Sequence, residues 1–148
     1  MRKFMQLALA AALAAPGLLP AGEKKLMHCF AFTEIDNASQ EDWQAFYRAT
    51  SALPMKMQGI VGRVWYGKLR TPIGIFQVDD QAGNKLRAGQ KNVTASANRV
   101  VRKSGVCMEL ADEAAIQKYD SHPYHKEWLG AYEKVRVAGT TTFDIIGQ

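Results

Sequence analysis

The sequence is poor in the groups that usually announce a function. It has two cysteines and three histidines in 148 residues. No glycine-rich phosphate loop, nucleophile elbow or Cys-His motif occurs, so nucleotide binding and the common forms of covalent catalysis have no sequence support. No charge-free apolar run reaches the length of about 20 residues that a spanning helix needs. A disordered chain is excluded as well, because 47% of the residues are apolar and only 22% charged. The length suits a single domain.

The first residues read as an export signal. Arg2 and Lys3 precede an apolar stretch from Phe4 to Leu19 that carries no charge, and Leu19-Pro20-Ala21 offers a small residue for cleavage. Cleavage is expected after Ala21, with residues 22–148 forming the domain. No cysteine sits at the expected cleavage point to take a lipid, so no stable membrane association is expected afterwards.

Charge is unevenly spread. Between residues 63 and 103 stand nine bases, from Arg63 and Lys68 to Arg102 and Lys103, against Asp79 and Asp80 alone. Such a segment attracts anions, or it is simply a solvated strand pair and loop. Aromatics for base stacking are not interleaved with the bases, so no nucleic-acid partner is expected. Cys29 and Cys107 both fall in strand-like segments. An exported chain permits a disulfide between them, and two buried thiols are the alternative.

Periodicity gives the order of elements. Leu26 to Thr33 reads as a strand with apolar residues on both faces. Ser39 and Asp42 have capping-box spacing ahead of Trp43, Phe46, Tyr47 and Leu53, which make one helical stripe that Pro54 ends. Ile60 to Tyr66 is a second strand. Residues 69–97 read as an insertion, with turn signals at Thr71-Pro72-Ile73-Gly74 and Ala82-Gly83-Asn84 and a short helix near Ala82–Ala88. Asn37-Ala38-Ser39 and Asn92-Val93-Thr94 match the glycosylation pattern, a weak signal on three residues. Asn98 to Leu110 is a third strand. Asp112 caps a helix carrying Ala115, Ile116 and Tyr119, and Pro123 opens a second helical piece with Trp128, Leu129, Tyr132 and Val135 inward. Val137 to Ile146 closes as a β-branched strand.

The order β-α-β-(insertion)-β-α-β predicts an α+β, ferredoxin-like domain: a four-stranded antiparallel sheet with both helices on one face. Cys29, Ala31 and Cys107 then share the uncovered face, and an apolar bare face asks for a partner. A homodimer is expected.

Chemistry centres on His28, Tyr119 and His125. His28 shares strand parity with Phe30 and Phe32, beneath the helices that carry the other two. A tyrosine and an imidazole in an apolar pocket form a plausible acid–base pair. His28, His122 and Trp128 complete the candidate ligand-binding set. Each has a structural alternative: a core histidine, a helix cap before proline, and a packing tryptophan. His122 and His125 lie three apart, but Pro123 disrupts regular spacing and no third ligand accompanies them, so no metal site is expected.

The run Tyr119-Asp120-Ser121-His122-Pro123-Tyr124-His125 resembles the Tyr-x-x-His-Pro-x-His motif of the Dabb family, the stress-responsive dimeric α/β-barrel proteins. The opening Leu26-Met27-His28-Cys29-Phe30-Ala31-Phe32 resembles that family's first strand, and Val106 to Leu110 also fits. The resemblance covers about residues 25–68 and 98–146 and implies a ferredoxin-like monomer paired through its sheets into a dimeric barrel. Most members have no assigned reaction. A minority resembling polyketide cyclases use the tyrosine and second histidine of the motif, here Tyr119 and His125, with His28 at the pocket wall. Where such cyclases place a further histidine near the third strand's start, this chain has Ser104 and Gly105. The resemblance, taken with the export signal read from the first residues, leads one to expect an exported protein binding a small apolar or aromatic molecule under its helices, with no cofactor. Alternatives are a cyclase or lyase using Tyr119 and His125, or a haem-binding or cofactor-free monooxygenase of the wider dimeric-barrel group with His125 as ligand or base.

Overall fold

The computed structural model describes residues 24–147, and the expected export signal lies outside them. The elements are β1 (Leu26–Glu34), α1 (Gln40–Lys56), β2 (Val61–Val78), α2 (Asp80–Arg87), β3 (Ala97–Leu110), α3 (Ala115–Ser121), α4 (Pro123–Glu133) and β4 (Arg136–Ile146). The strands form one antiparallel sheet in the order β2-β3-β1-β4. This is the expected ferredoxin-like α+β arrangement, with α2 added.

Alternation along the strands sorts the two faces of the sheet. Leu26, Phe30 and Phe32 of β1 share a core with Val106, Met108 and Leu110 of β3, all buried under the helices. Phe46 and Leu53 enter it from α1, and Trp128 and Tyr132 from α4. Full burial of one such side chain contributes about 1.5–3 kcal/mol. Two of the ring contacts from β1 to α4 are edge-on: Phe30 stands 5.6 Å from Trp128, and Phe32 stands 5.0 Å from Tyr132. The Trp128 indole N–H donates to Thr50 Oγ1 at 3.0 Å, and that hydroxyl donates to the Phe46 carbonyl at 2.7 Å. The two long helices are thereby joined by a buried polar contact with each donor satisfied.

Local signals explain most boundaries. Ser39 and Asp42 form a complete capping box at the start of α1. The Asp112 carboxylate accepts the Ala115 N–H at 2.7 Å, and Pro123 occupies the first turn of α4. Pro54, however, does not end α1, which runs on to Lys56. Pro54 sits in the last turn, where its missing N–H costs a single bond, and Met57 N–H still reaches the Leu53 carbonyl.

The segment expected as a loop-rich insertion is more ordered than its composition suggests. β2 continues to Val78 and pairs with the first half of β3 from Ile73↔Arg102 to Val78↔Ala97. The Thr71-Pro72 signal falls inside a register shift between Lys68 and Ile73, where proline need not donate to the ladder. The short helix forms two residues earlier than expected, capped by the Asp79 carboxylate on the Ala82 N–H. The result is a two-stranded arm carrying α2 at its tip.

Arg102, counted among the segment's bases, is 1% exposed. Its Nη1 donates to Thr33 Oγ1 at 3.1 Å and its Nε to Thr141 Oγ1 at 3.3 Å. No carboxylate pairs with it among the described residues.

Candidate functional site

The uncovered face of the sheet carries an apolar trough of about 300 Å3. Its floor is the pair Cys29 and Cys107, directly opposed on β1 and β3 with Cα atoms 4.1 Å apart and joined as a disulfide. Trp65, Leu69, Ile73 and Phe143 rise around it. Trp65 and Phe143 are about half exposed, an unusual state for rings of that size. Gly105 keeps the trough open, since a Cβ there would lie 3.0 Å from the Phe30 carbonyl oxygen and 3.2 Å from Leu69.

Beneath the helices lies a second cavity of about 180 Å3, between β1, β4 and the α3–α4 break. Proline at position 123 forces that break, and the chain re-enters helix with Tyr119 before it and His125 after it. Both rings meet there, with centroids 4.4 Å apart, and His28 lies 5.7 Å from Tyr119. His28, Tyr119, His125 and Trp128 all line this cavity. His122 does not: its Nδ1 accepts the Tyr124 N–H at 3.1 Å, so its ring caps α4.

Hydrogen bonds set the tautomers. The His125 Nδ1 lies 3.2 Å from the Asp120 carbonyl oxygen. A carbonyl only accepts, so Nδ1 carries the proton and Nε2 keeps a lone pair. The His28 Nδ1 lies 2.7 Å from Asp144 Oδ1, which orients that ring in the same sense. Tyr119 is 1% exposed, and its hydroxyl has no hydrogen-bond partner. Burial, with smaller contributions from Asp120 and Tyr132, pushes its phenol well above the ordinary value of 10.0. It is therefore a proton donor at neutral pH.

The far end of the cavity is basic. Arg136 packs over the Tyr132 ring with its guanidinium carbon 4.7 Å from the centroid. Its Nε is buried without a partner. The Tyr132 hydroxyl pairs with Thr140 Oγ1 at 3.0 Å. Burial raises the Tyr132 phenol above its ordinary value, against the Thr140 bond and the charges of Arg136 and Arg102.

Asp144, Arg136 and Thr140 are site residues that periodicity alone leaves unmarked. One signal was available for Asp144. It is a lone acid in a β-branched strand, on the parity of Thr140 and Thr142, and that parity faces the helices.

No protein-family model matches the sequence, and no curated protein matches it. Solved structures do share its fold. A dimeric ferredoxin-like protein of unknown function from Thermobifida fusca superposes with a TM-score of 0.54 at 15% identity, over 90% of this chain and 99% of that one. A Dabb family protein with a ferredoxin-like fold from Mesorhizobium loti gives 0.53 at 14%, over 85% and 99%. A hydroxynitrile lyase from Passiflora edulis gives 0.55 at 8%, over 84% and 94%. At such identities the likeness is one of fold. The ferredoxin-like architecture, shared with a Dabb protein, is the one that the Tyr119–His125 run and the order of elements lead one to expect.

Proposed function

We propose that this chain is an exported Dabb-type protein of the stress-responsive kind. It works as a homodimer and binds a small apolar or aromatic molecule in the cavity beneath its helices. The observation that carries the reading is the Tyr119 hydroxyl, buried at the wall of that cavity without a partner. A buried hydroxyl left unsatisfied costs about 1–3 kcal/mol, which a ligand oxygen placed beside it would recover. Phe30, Trp128 and Leu129 supply apolar walls around it.

The dimer is supported by the trough on the other face. Its half-exposed Trp65 and Phe143 are what a second sheet would cover, and structures of the same fold are described as dimeric. Phe143→Asp is expected to convert a dimer into monomer in sedimentation velocity at micromolar concentration. A wild-type protein already monomeric there would remove the dimer from the proposal. Export is supported by the basic start and apolar stretch before Ala21 and by the disulfide, which persists in oxidising compartments.

A second reading has its own observation. His125 keeps a free Nε2 next to a protonated Tyr119, so the imidazole can take a proton from carbon while the phenol donates to an adjacent carbonyl oxygen. That is the chemistry of a cyclase or lyase. Screening small aromatic and carbonyl compounds for thermal shift and for turnover separates the two. A binding module shows shifts without turnover. An enzyme shows turnover that Tyr119→Phe and His125→Ala both abolish while the melting temperature holds. If no compound shifts the melting temperature, the ligand-binding proposal fails.

A further inference from the structure

The cavity beneath the helices has ends of opposite character. Near β1's start, His28 is paired with Asp144, and Asp120 contributes to the same wall. Arg136 marks the other end, because the register sets Asp144 beside His28 but Arg136 beside Glu34, six residues further along β1. At about 3.3 Å per residue, that separates the two backbone positions by roughly 20 Å, a gap that their side chains narrow from both ends.

Arg136 holds an unused donor there. Its Nη2 turns outward toward the exposed Glu133 carboxylate at 3.7 Å, a loose contact between neighbours on the chain. Its Nε is buried and bonded to nothing. Arg136 is the cation that lines the cavity, with its side chain 17% exposed; a guanidinium so far removed from water, its Nε unbonded and its only carboxylate contact among the described residues loose, calls for a counter-charge.

The walls between the ends are rings, Phe30, Trp128 and Tyr132 among them. A dry cavity of about 150 Å3 accepts benzene, so the 180 Å3 here admits one aromatic ring. We infer that the ligand is a single-ring aromatic carboxylate, its carboxylate held by the Arg136 Nε–H and its ring or ring substituent directed toward Tyr119. The reverse orientation would set a carboxylate against Asp144 and Asp120. This inference rests on the proposed ligand-binding role of the same cavity and adds the sign of the ligand's charge.

Phenylacetate and its neutral isostere phenylacetamide test it, titrated calorimetrically into the purified protein. The acid is expected to bind at least tenfold more tightly than the amide. Arg136→Gln is expected to erase that preference by weakening the acid far more than the amide, so that the two affinities converge. Arg136→Lys, which keeps the charge but not the Nε–H, should retain part of it. Equal affinity of the wild-type protein for acid and amide would overturn the anion inference and leave an aromatic-binding cavity standing. Binding of neither compound, with no thermal shift from other aromatics, would overturn both.

Discussion

His28 and Asp144 face each other across the β1–β4 pair, with Nδ1 and Oδ1 2.7 Å apart at the mouth of the helix-side cavity. Two residues 116 positions apart in sequence thus become one unit. The carboxylate is 44% exposed and the imidazole 14%, so the pair is half wet. Its contribution to stability is that of a partly exposed polar contact, about 1 kcal/mol or less. Its importance is orientation.

Asp144→Ala should therefore change the site more than the fold. Long-range proton–nitrogen NMR is expected to show His28 losing its single tautomer, while the unfolding free energy falls by no more than about 1 kcal/mol. Asp144→Asn keeps an acceptor oxygen and should preserve the tautomer. If the alanine variant leaves the ring's tautomer unaltered, Asp144 does not orient His28.

Trp128 lies at the crossing of α4, α1 and β1, 2% exposed. Trp128→Ala is expected to cost about 3–5 kcal/mol in denaturant unfolding, the usual effect of emptying a large core position. Trp128→Phe should cost less, about 1–3 kcal/mol, because it chiefly removes the indole N–H from the Thr50 hydroxyl. An alanine variant as stable as the parent would contradict the packing described here.

Acid should weaken the fold through Glu34. Burial works to raise this carboxyl, but bonds from Lys68 and Ser104, with the charges of Lys68 and Lys103, hold it below its ordinary value of 4.5. A carboxyl depressed in the folded state stabilises the fold above its unfolded value and loses that contribution as pH falls through the folded one. Stability should thus decline as pH drops below 4.5. The decline should be shallower in Glu34→Gln, as measured by urea midpoints from pH 6 down to about 3.

The disulfide closes a loop with a sequence separation of 78. Replacing Cys29 and Cys107 together by alanine is expected to destabilise the protein by about 2–4 kcal/mol. Thermal unfolding with and without a thiol reductant should reproduce that difference for the parent and show none for the double variant.

Much of this was legible in the residues. The capping box at Ser39 and Asp42, proline at the start of α4, and alternation in β1 and β3 are local signals, and each produced its element. Tyr119 and His125 were legible because a proline between them fixes where the helix breaks. His28 joined them through strand parity. Other features depend on tertiary neighbours and escape such reasoning. The pairing of Ile73–Val78 with Ala97–Arg102 turns polar, weakly patterned sequence into strands through a shared ladder. Arg102 gives no sign in sequence that it will be buried rather than solvated. Arg136 shares the parity of Thr140 and Thr142, but its burial depends on the Tyr132 ring over which it packs. Whether Cys29 and Cys107 would bridge was likewise open until register set them opposite one another.

That bridge has an effect on the side of the sheet it does not touch. In a two-sided strand, a slip of one residue exchanges every inward side chain for an outward one. Between β1 and β3 such a slip would turn His28, Phe30 and Phe32 into the trough and present Ala31 to the helices. A covalent tie between directly opposed residues forbids it. The sulfurs beneath the sheet thus act as a latch for the imidazole above it, and a protein that lost them could keep its shape while losing the alignment on which its cavity depends.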